Sequence, residues 1–173
     1  VANGISLTLN RGDRIALVGR NGCGKSSLLK LLIGQPIAHT GTLEIGSRLT
    51  VSYVPQDMSF LSGSADNFAA ESEIDITLFK TILRKLDFKR TQFTKDMSEF
   101  SMGQKKKVLL ARSLCQRANL YIWDEPLNYI DVISRLQIET LILEYKPTML
   151  FVEHDEAFVN DIATKVCRIS LNQ

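Results

Sequence analysis

Apolar and polar residues alternate over Ile5-Ser-Leu-Thr-Leu9, the two-residue period of a half-buried strand. After the Asn10–Asp13 turn the run Arg14-Ile-Ala-Leu-Val18 predicts a second strand, and Gly19–Gly24 a glycine-rich loop. Lys25–Ile33 reads as a helix stopped by Gly34 and Pro36. Thr42–Ile45 and Leu49–Val54 are further predicted strands, parted at Gly46-Ser47. From about residue 59 to 116 the pattern turns helical. Leu78, Phe79, Ile82, Leu83 and Leu86 recur at helical spacing, and Val108, Leu109, Ala111 and Leu114 supply the apolar face of a helix over 102–116. Leu120-Tyr-Ile-Trp123 and Thr148–Val152 are continuous apolar runs, as in strands buried on both faces of a parallel sheet. Between them Val132, Ile133, Leu136 and Leu141 mark a helix with Asp131 as its N-cap. A helix from about Glu156 and a strand over Val166–Ser170 close the pattern. Strands alternating with helices predict an α/β fold with a mainly parallel central sheet and an inserted helical subdomain at about 59–116.

Length and composition narrow this little. At 173 residues the chain fits one domain, 1–173, large enough for a core without a disulfide or metal staple. Its 21 Lys+Arg against 19 Asp+Glu leave a net charge of +2, too small to name nucleic acid or membrane as partner. No apolar run approaches the roughly 20 residues of a bilayer span, so direct membrane insertion is not expected. Cys23, Cys115 and Cys167 form no CxxC pair; with no secretory signal, a reducing, cytoplasmic setting is the expectation. The chain opens on Val1 inside a strand-like pattern, which reads as a domain truncated at its N-terminus.

Candidate chemistry begins at Gly19-Arg-Asn-Gly-Cys-Gly-Lys25-Ser26, a match to the G-x-x-x-x-G-K-[ST] phosphate loop between a predicted strand and helix. Glycines there let successive N–H groups turn toward phosphate oxygens, and the helix N-terminus favours negative charge. The candidate nucleotide contacts are Gly19, Asn21, Gly22, Cys23, Gly24, Lys25, Ser26 and Ser27, with the Lys25 ammonium against the outer phosphates and the Ser26 hydroxyl toward Mg²⁺. Cys23 is expected to be open to alkylation that blocks the site. Asp124-Glu125 closes a buried strand, at the sheet end where α/β proteins bind ligands. Asp124 suits Mg²⁺, and Glu125 suits polarising an attacking water. Together these read as a P-loop nucleotide hydrolase.

Three further segments carry a resemblance. Ser101-Met-Gly-Gln104 resembles the LSGGQ signature of ATP-binding-cassette (ABC) proteins. Gln56 in Tyr53-Val-Pro-Gln56 matches their Q-loop, and His154 in Phe151-Val-Glu-His154 their switch histidine. The motifs stand in family order from residue 19 to 154. The resemblance implies an ATPase in which Glu125, His154, Gln56 and Lys25 act on the γ-phosphate. It implies Ser26, Gln56 and Asp124 around Mg²⁺, and Ser101, Gly103 and Gln104 presented to ATP held by a second cassette, in the same chain or a homodimer. Met102 replaces the first glycine of the signature. Family members stack adenine on an aromatic residue upstream of the phosphate loop. None precedes Val18, so weakened nucleotide affinity is expected.

Asp124-Glu-Pro-Leu-Asn128-Tyr-Ile-Asp131 resembles ABC-F proteins, which carry two cassettes, no membrane domain, and act on the ribosome. Lys105–Arg112 and Val152–Asp155 resemble the antibiotic-resistance branch, and the lack of a long helical arm the second, C-terminal cassette. The resemblance therefore implies ATP-driven cassette closure controlling ribosome binding. The nucleotide-binding subunit of an ABC transporter and a non-hydrolysing, nucleotide-gated module are the alternatives. Lys105–Lys107 are expected on a solvated helix face or against ribosomal RNA.

Overall fold

The computed structural model describes residues 5–169. Elements run β1 (Arg14–Val18), α1 (Lys25–Leu32), β2 (Val51–Val54), α2 (Ala65–Glu71), α3 (Ile76–Lys85), α4 (Met102–Cys115), β3 (Leu120–Asp124), α5 (Val132–Tyr145), β4 (Met149–Val152), α6 (Glu156–Ile162) and β5 (Lys165–Arg168), with single 3₁₀ turns at Arg90–Gln92 and Met97–Glu99. They fall into two compact units.

The first unit comprises Ala118–Glu125 with the described parts of Val1–Tyr53 and Lys146–Gln173. Its sheet has five strands in the order β2-β3-β4-β1-β5. The ladders β3·β4, β4·β1 and β1·β5 are parallel. Every residue of β4 is buried, as its unbroken apolar sequence requires of a central parallel strand. Period-2 alternation sends Ile15, Leu17, Ile122, Leu150 and Val152 to one face, where they form a core with Leu29 of α1 and Ile169. Phe151 leaves the opposite face and meets Phe158 of α6 edge to face, ring centres 5.6 Å apart.

The second unit, Val54–Arg117 and Pro126–Tyr145, is helical. Phe79, Ile82 and Leu83 of α3, Val108 to Ala111 of α4, and Ile138 and Ile142 of α5 are buried. Ser134 is buried too, its hydroxyl donating to the Leu86 carbonyl at 3.0 Å.

Several expectations change. Ile5–Leu9 and Thr42–Ile45 are not strands: alternation marks a half-buried segment, but a strand needs a ladder partner. Ile5, Leu7 and Leu9 nevertheless lie against the core, whereas Leu43 and Ile45 are exposed. Helix α5 forms where expected and buries a different face. Val132, Ile133 and Leu136 are exposed; Ser134, Ile138 and Ile142, at four-residue spacing, turn inward. Leu78 is likewise exposed. β5 spans Lys165–Arg168, and Ser170 lies outside the described residues.

Candidate functional site

Helix α1 differs from the other α-helices of the described residues at its N-terminus. Ser64, Asp75, Ser101, Asp131 and Asp155 each turn a side-chain oxygen to a first-turn N–H of α2, α3, α4, α5 and α6. The corresponding residue of α1 is Gly24, at φ 99°, with no side chain to offer and no acidic residue in the following turn. First-turn N–H groups without an internal acceptor, at the positive end of the helix dipole, form an anion site. Gly22 is also left-handed, at φ 78°. Gly19 is there for space: a Cβ would lie 2.5 Å from the Ile169 carbonyl oxygen and 2.9 Å from Cys23 Sγ.

Lys25 is 6% exposed, and its Nζ donates to the carbonyls of Gly19 at 2.8 Å and Arg20 at 3.0 Å. The loop thus wraps its own lysine and holds the ammonium within the turn. Ser26 is half-buried at the helix start, while Asn21, Gly22 and Ser27 are exposed. The expectation of an alkylatable Cys23 is overturned: the residue is 1% exposed, its side chain part of the core beneath the loop.

Strand register assembles the rest of this unit's site. Val152 pairs with Leu17 on one side and with Asp124 on the other. Gly19, Glu125 and His154 therefore emerge along one edge of the sheet, at the C-terminal ends of adjacent parallel strands, where open α/β sheets bind ligands. Asp124 is buried at the strand end. Glu125 takes φ 49°, in the left-handed region, and its N–H donates to the Val152 carbonyl at 3.0 Å. Its carboxylate comes within 3.6 Å of His154 Nε2. Burial first, and the Asp124 charge second, push the Tyr53 hydroxyl up to about 12, so a neutral phenol lies near Asp124 at neutral pH.

Glu153 escaped sequence reasoning. It is 4% exposed, and its Oε1 accepts from the backbone N–H of His154 at 2.8 Å and of Asp155 at 3.4 Å. It pins the turn that carries His154. The only sequence signal was a carboxylate between an apolar strand and a histidine, which is as common in a solvated turn.

Gln56, Ser101, Gly103 and Gln104 belong to the second unit. Gln56 is exposed, directly after Pro55. Ser101 and Gln104 form a capping box on α4: Ser101 Oγ accepts from the Gln104 N–H at 3.3 Å, and Gln104 Oε1 from the Ser101 N–H at 3.0 Å. The hydroxyl proton of Ser101 and the amide NH₂ of Gln104 are not used in that box. Gly103 packs on the loop after β3, with its missing Cβ 2.5 Å from the Tyr129 carbonyl oxygen. Met102 is exposed at the helix start.

Two of the three lysines correct the expectation of a solvated or RNA-facing stretch, while Lys105 is half-exposed. Lys106 is fully buried, and its Nζ donates to the Pro55 carbonyl at 3.3 Å. Lys107 is buried against Asp131 in an ion pair. Partial burial pushes the Asp131 carboxyl up, but hydrogen bonds from Lys107 and Ser134 outweigh it and bring it down to about 2.

This order of phosphate loop, capped signature helix and strand-end carboxylates is matched by a family model described as ABC transporter, over residues 2–128. The chain belongs to that family. It is an ABC-type ATPase cassette, and its parallel sheet with flanking helices is the family's P-loop fold. Relatives include the ATP-binding protein Uup of Escherichia coli, 36% identical over 90% of this chain and 26% of that protein. ABC transporter F family member 2 of Arabidopsis thaliana is 30% identical over 96% of this chain and 26% of that protein. A chain in the crystal structure of archaeal ribosome recycling factor aABCE1 with ribosomal stalk protein aP1 superposes with TM-score 0.77 at 26% identity, covering 95% of this chain and 33% of that one. This chain thus spans about a quarter of the length of these curated relatives.

ABC cassettes bind ATP with Mg²⁺. The donor set fits that ion: the Ser26 hydroxyl and Asp124 carboxylate are hard oxygens. Mg²⁺ takes one or two such protein ligands, completing its shell with water and substrate phosphates. No helix among the described residues is long and apolar enough to cross a membrane.

Proposed function

We propose that this cassette hydrolyses ATP within an ABC-F protein, where closure against a second cassette controls binding to the ribosome. The observation that supports it most directly is the uncapped N-terminus of α1 on the same sheet edge as the Glu125–His154 pair. An anion cradle and a carboxylate placed to take a proton are the two parts that γ-phosphate hydrolysis needs.

In this reading the N–H groups of Gly22 and of Gly24 to Ser27 hold the phosphates and Lys25 neutralises charge that develops on the γ-phosphoryl oxygens. Ser26 and Asp124 would hold Mg²⁺, with Gln56 the third ligand that the family resemblance implies, and the ion would supply further charge neutralisation. Glu125 accepts the proton of the attacking water, and His154 Nε2 stands 3.6 Å from its carboxylate, beside the γ-phosphate end of the substrate. Gln56 orients the γ-phosphate end of the substrate. Ser101, Gly103 and Gln104 present the N-terminus of α4 to ATP held by the partner cassette. Closure follows from differential contact, since the γ-phosphate touches both cassettes only in the closed state.

The ribosomal assignment is supported by the Asn128–Asp131 pattern, by similarity to an ABC transporter F family member, and by likeness to a ribosome recycling factor. A cytoplasmic site of action and protection of the ribosome from antibiotics are parts of the same proposal. The transporter-subunit reading is favoured by likeness to the ATP-binding subunit of an ABC transporter, TM-score 0.80, but at 20% identity that likeness concerns the fold alone. One experiment separates the two. The full-length protein carrying Glu125→Gln is spun with ribosomes through a sucrose cushion in ATP or ADP. ATP-dependent pelleting supports the ribosomal role; retention in the supernatant with ATP still bound sinks it and points to a membrane partner.

A further inference from the structure

A lysine with no exposed surface is rare, because its ammonium must find acceptors to replace water. Lys106 stands in the second turn of α4, the helix whose first turn carries Ser101–Gln104, and its Nζ reaches out of the helix to the Pro55 carbonyl. The Pro55 C=O and the Gln56 N–H share one planar peptide unit. Proline also fixes its own φ and brings no N–H, so holding its oxygen sets the plane from which the Gln56 side chain departs. Next along the helix, Lys107 goes a different way, to Asp131 at the start of α5. Adjacent lysines therefore tie one helix to two loops.

We infer that Lys106 is a positioning residue: it locks the Pro55–Gln56 peptide to the signature helix, so that Gln56 and Ser101–Gln104 move as one body. The inference rests on the role given above to Gln56. Residues 55–64, between β2 and α2, form no helix or strand, and Gln56 itself is exposed. Without the Lys106 bond the helix loses an anchor on that peptide, and Gln56 samples positions away from the γ-phosphate. A misplacement on the order of 1 Å can cost up to 10²-fold in rate. Nucleotide affinity, set by the phosphate loop of the other unit, is untouched.

The test compares Lys106→Met with wild type in the full-length protein, alongside Gln56→Ala, the double variant, and Lys105→Met as a control on the same helix. Expected are a fall in kcat for Lys106→Met on the order of tenfold or more and a KM for ATP within about twofold of wild type. The double variant should be no worse than Gln56→Ala alone. A lysine that only supports the fold would give multiplicative losses with a lowered melting temperature; that result, or an unchanged kcat, overturns the inference. Pro55→Gly guards against a misfolded core variant: it leaves Lys106 in place, frees the peptide plane, and should lower kcat without moving KM. Its failure to do so counts against the inference equally. Hydrogen exchange across residues 54–60 reads the ordering without activity. If Gln56→Ala leaves kcat unchanged, the role assigned to Gln56 fails. Faster exchange in Lys106→Met than in Lys105→Met then sustains the positioning role alone, and equal exchange overturns it.

Discussion

At φ 49°, Glu125 occupies a region that residues with side chains enter only when their surroundings hold them there. Here the hold is visible. The Glu125 N–H extends the β3·β4 ladder to Val152, and that bond holds the residue against the extended backbone that the following Pro126 favours. The backbone must then turn, and the turn points the carboxylate at His154. Replacing the carboxylate by an amide keeps the shape and removes the base. Glu125→Gln should therefore lower phosphate release by about 10²-fold or more with ATP binding retained, as measured by single-turnover hydrolysis and equilibrium binding. The cysteines make a second residue-scale prediction. Cys23 is buried, while burial first and the Asp75 charge second push the Cys115 thiol up to about 11. Burial also raises Cys167. A disulfide reagent at pH 8 should label the folded chain slowly and all three thiols quickly in denaturant; rapid labelling of the native Cys115 would contradict this packing.

Among elements, α4 carries the densest set of constraints. Its capping box, the contact of Gly103 with the Tyr129 carbonyl, and the Lys107–Asp131 pair join its first turns to the loop before α5. Gly103→Ala forces a methyl group onto a backbone oxygen that cannot move aside, because Tyr129 is already left-handed at φ 66°. A loss of about 1–3 kcal/mol is expected in urea unfolding. Ser101→Ala should cost about 1 kcal/mol through the cap alone. Asp131 gives the pH dependence. Its folded pKa of about 2 lies below the ordinary 3.8, so its contribution is complete above pH 4 and fades as pH falls toward 2. Wild type should exceed Asp131→Asn in urea midpoint at pH 6, and the gap should narrow as pH falls from 4 to 2, where about half of the folded carboxyls are still ionised. A gap of the same size at pH 2 and pH 6 would mean the pair is not the source.

For the whole molecule, the prediction concerns association. If hydrolysis needs the α4 N-terminus of a second cassette, the specific activity of this chain should rise with its own concentration, whereas a protein with two such cassettes joined in one chain should show no such rise. A rate independent of concentration for the isolated chain would place the complete site within one cassette. Much of this was legible in the chain. The strands β1, β3 and β4 and the helices α1 and α4 were read within one or two residues, because long apolar runs and caps are local signals. Less legible were segments whose state depends on a partner. Ile5–Leu9 and Thr42–Ile45 alternate like strands without a ladder to join, and Val132, Ile133 and Leu136 look like a core face that α5 turns to solvent.

The sequence alone determined the α/β class, the phosphate loop and the order of motifs, since glycine spacing, apolar runs and a terminal Asp-Glu are each set within a few neighbouring residues. Tertiary structure decided what depends on distant neighbours. It placed Gly19, Glu125 and His154 on one sheet edge by strand register, pinned the His154 turn through Glu153, and drew Cys23 into the core. It also buried Lys106 and Lys107, which a run of three lysines gives no reason to expect. A charge is buried when a carbonyl or carboxylate from elsewhere in the chain meets it, and only the folded chain supplies that acceptor.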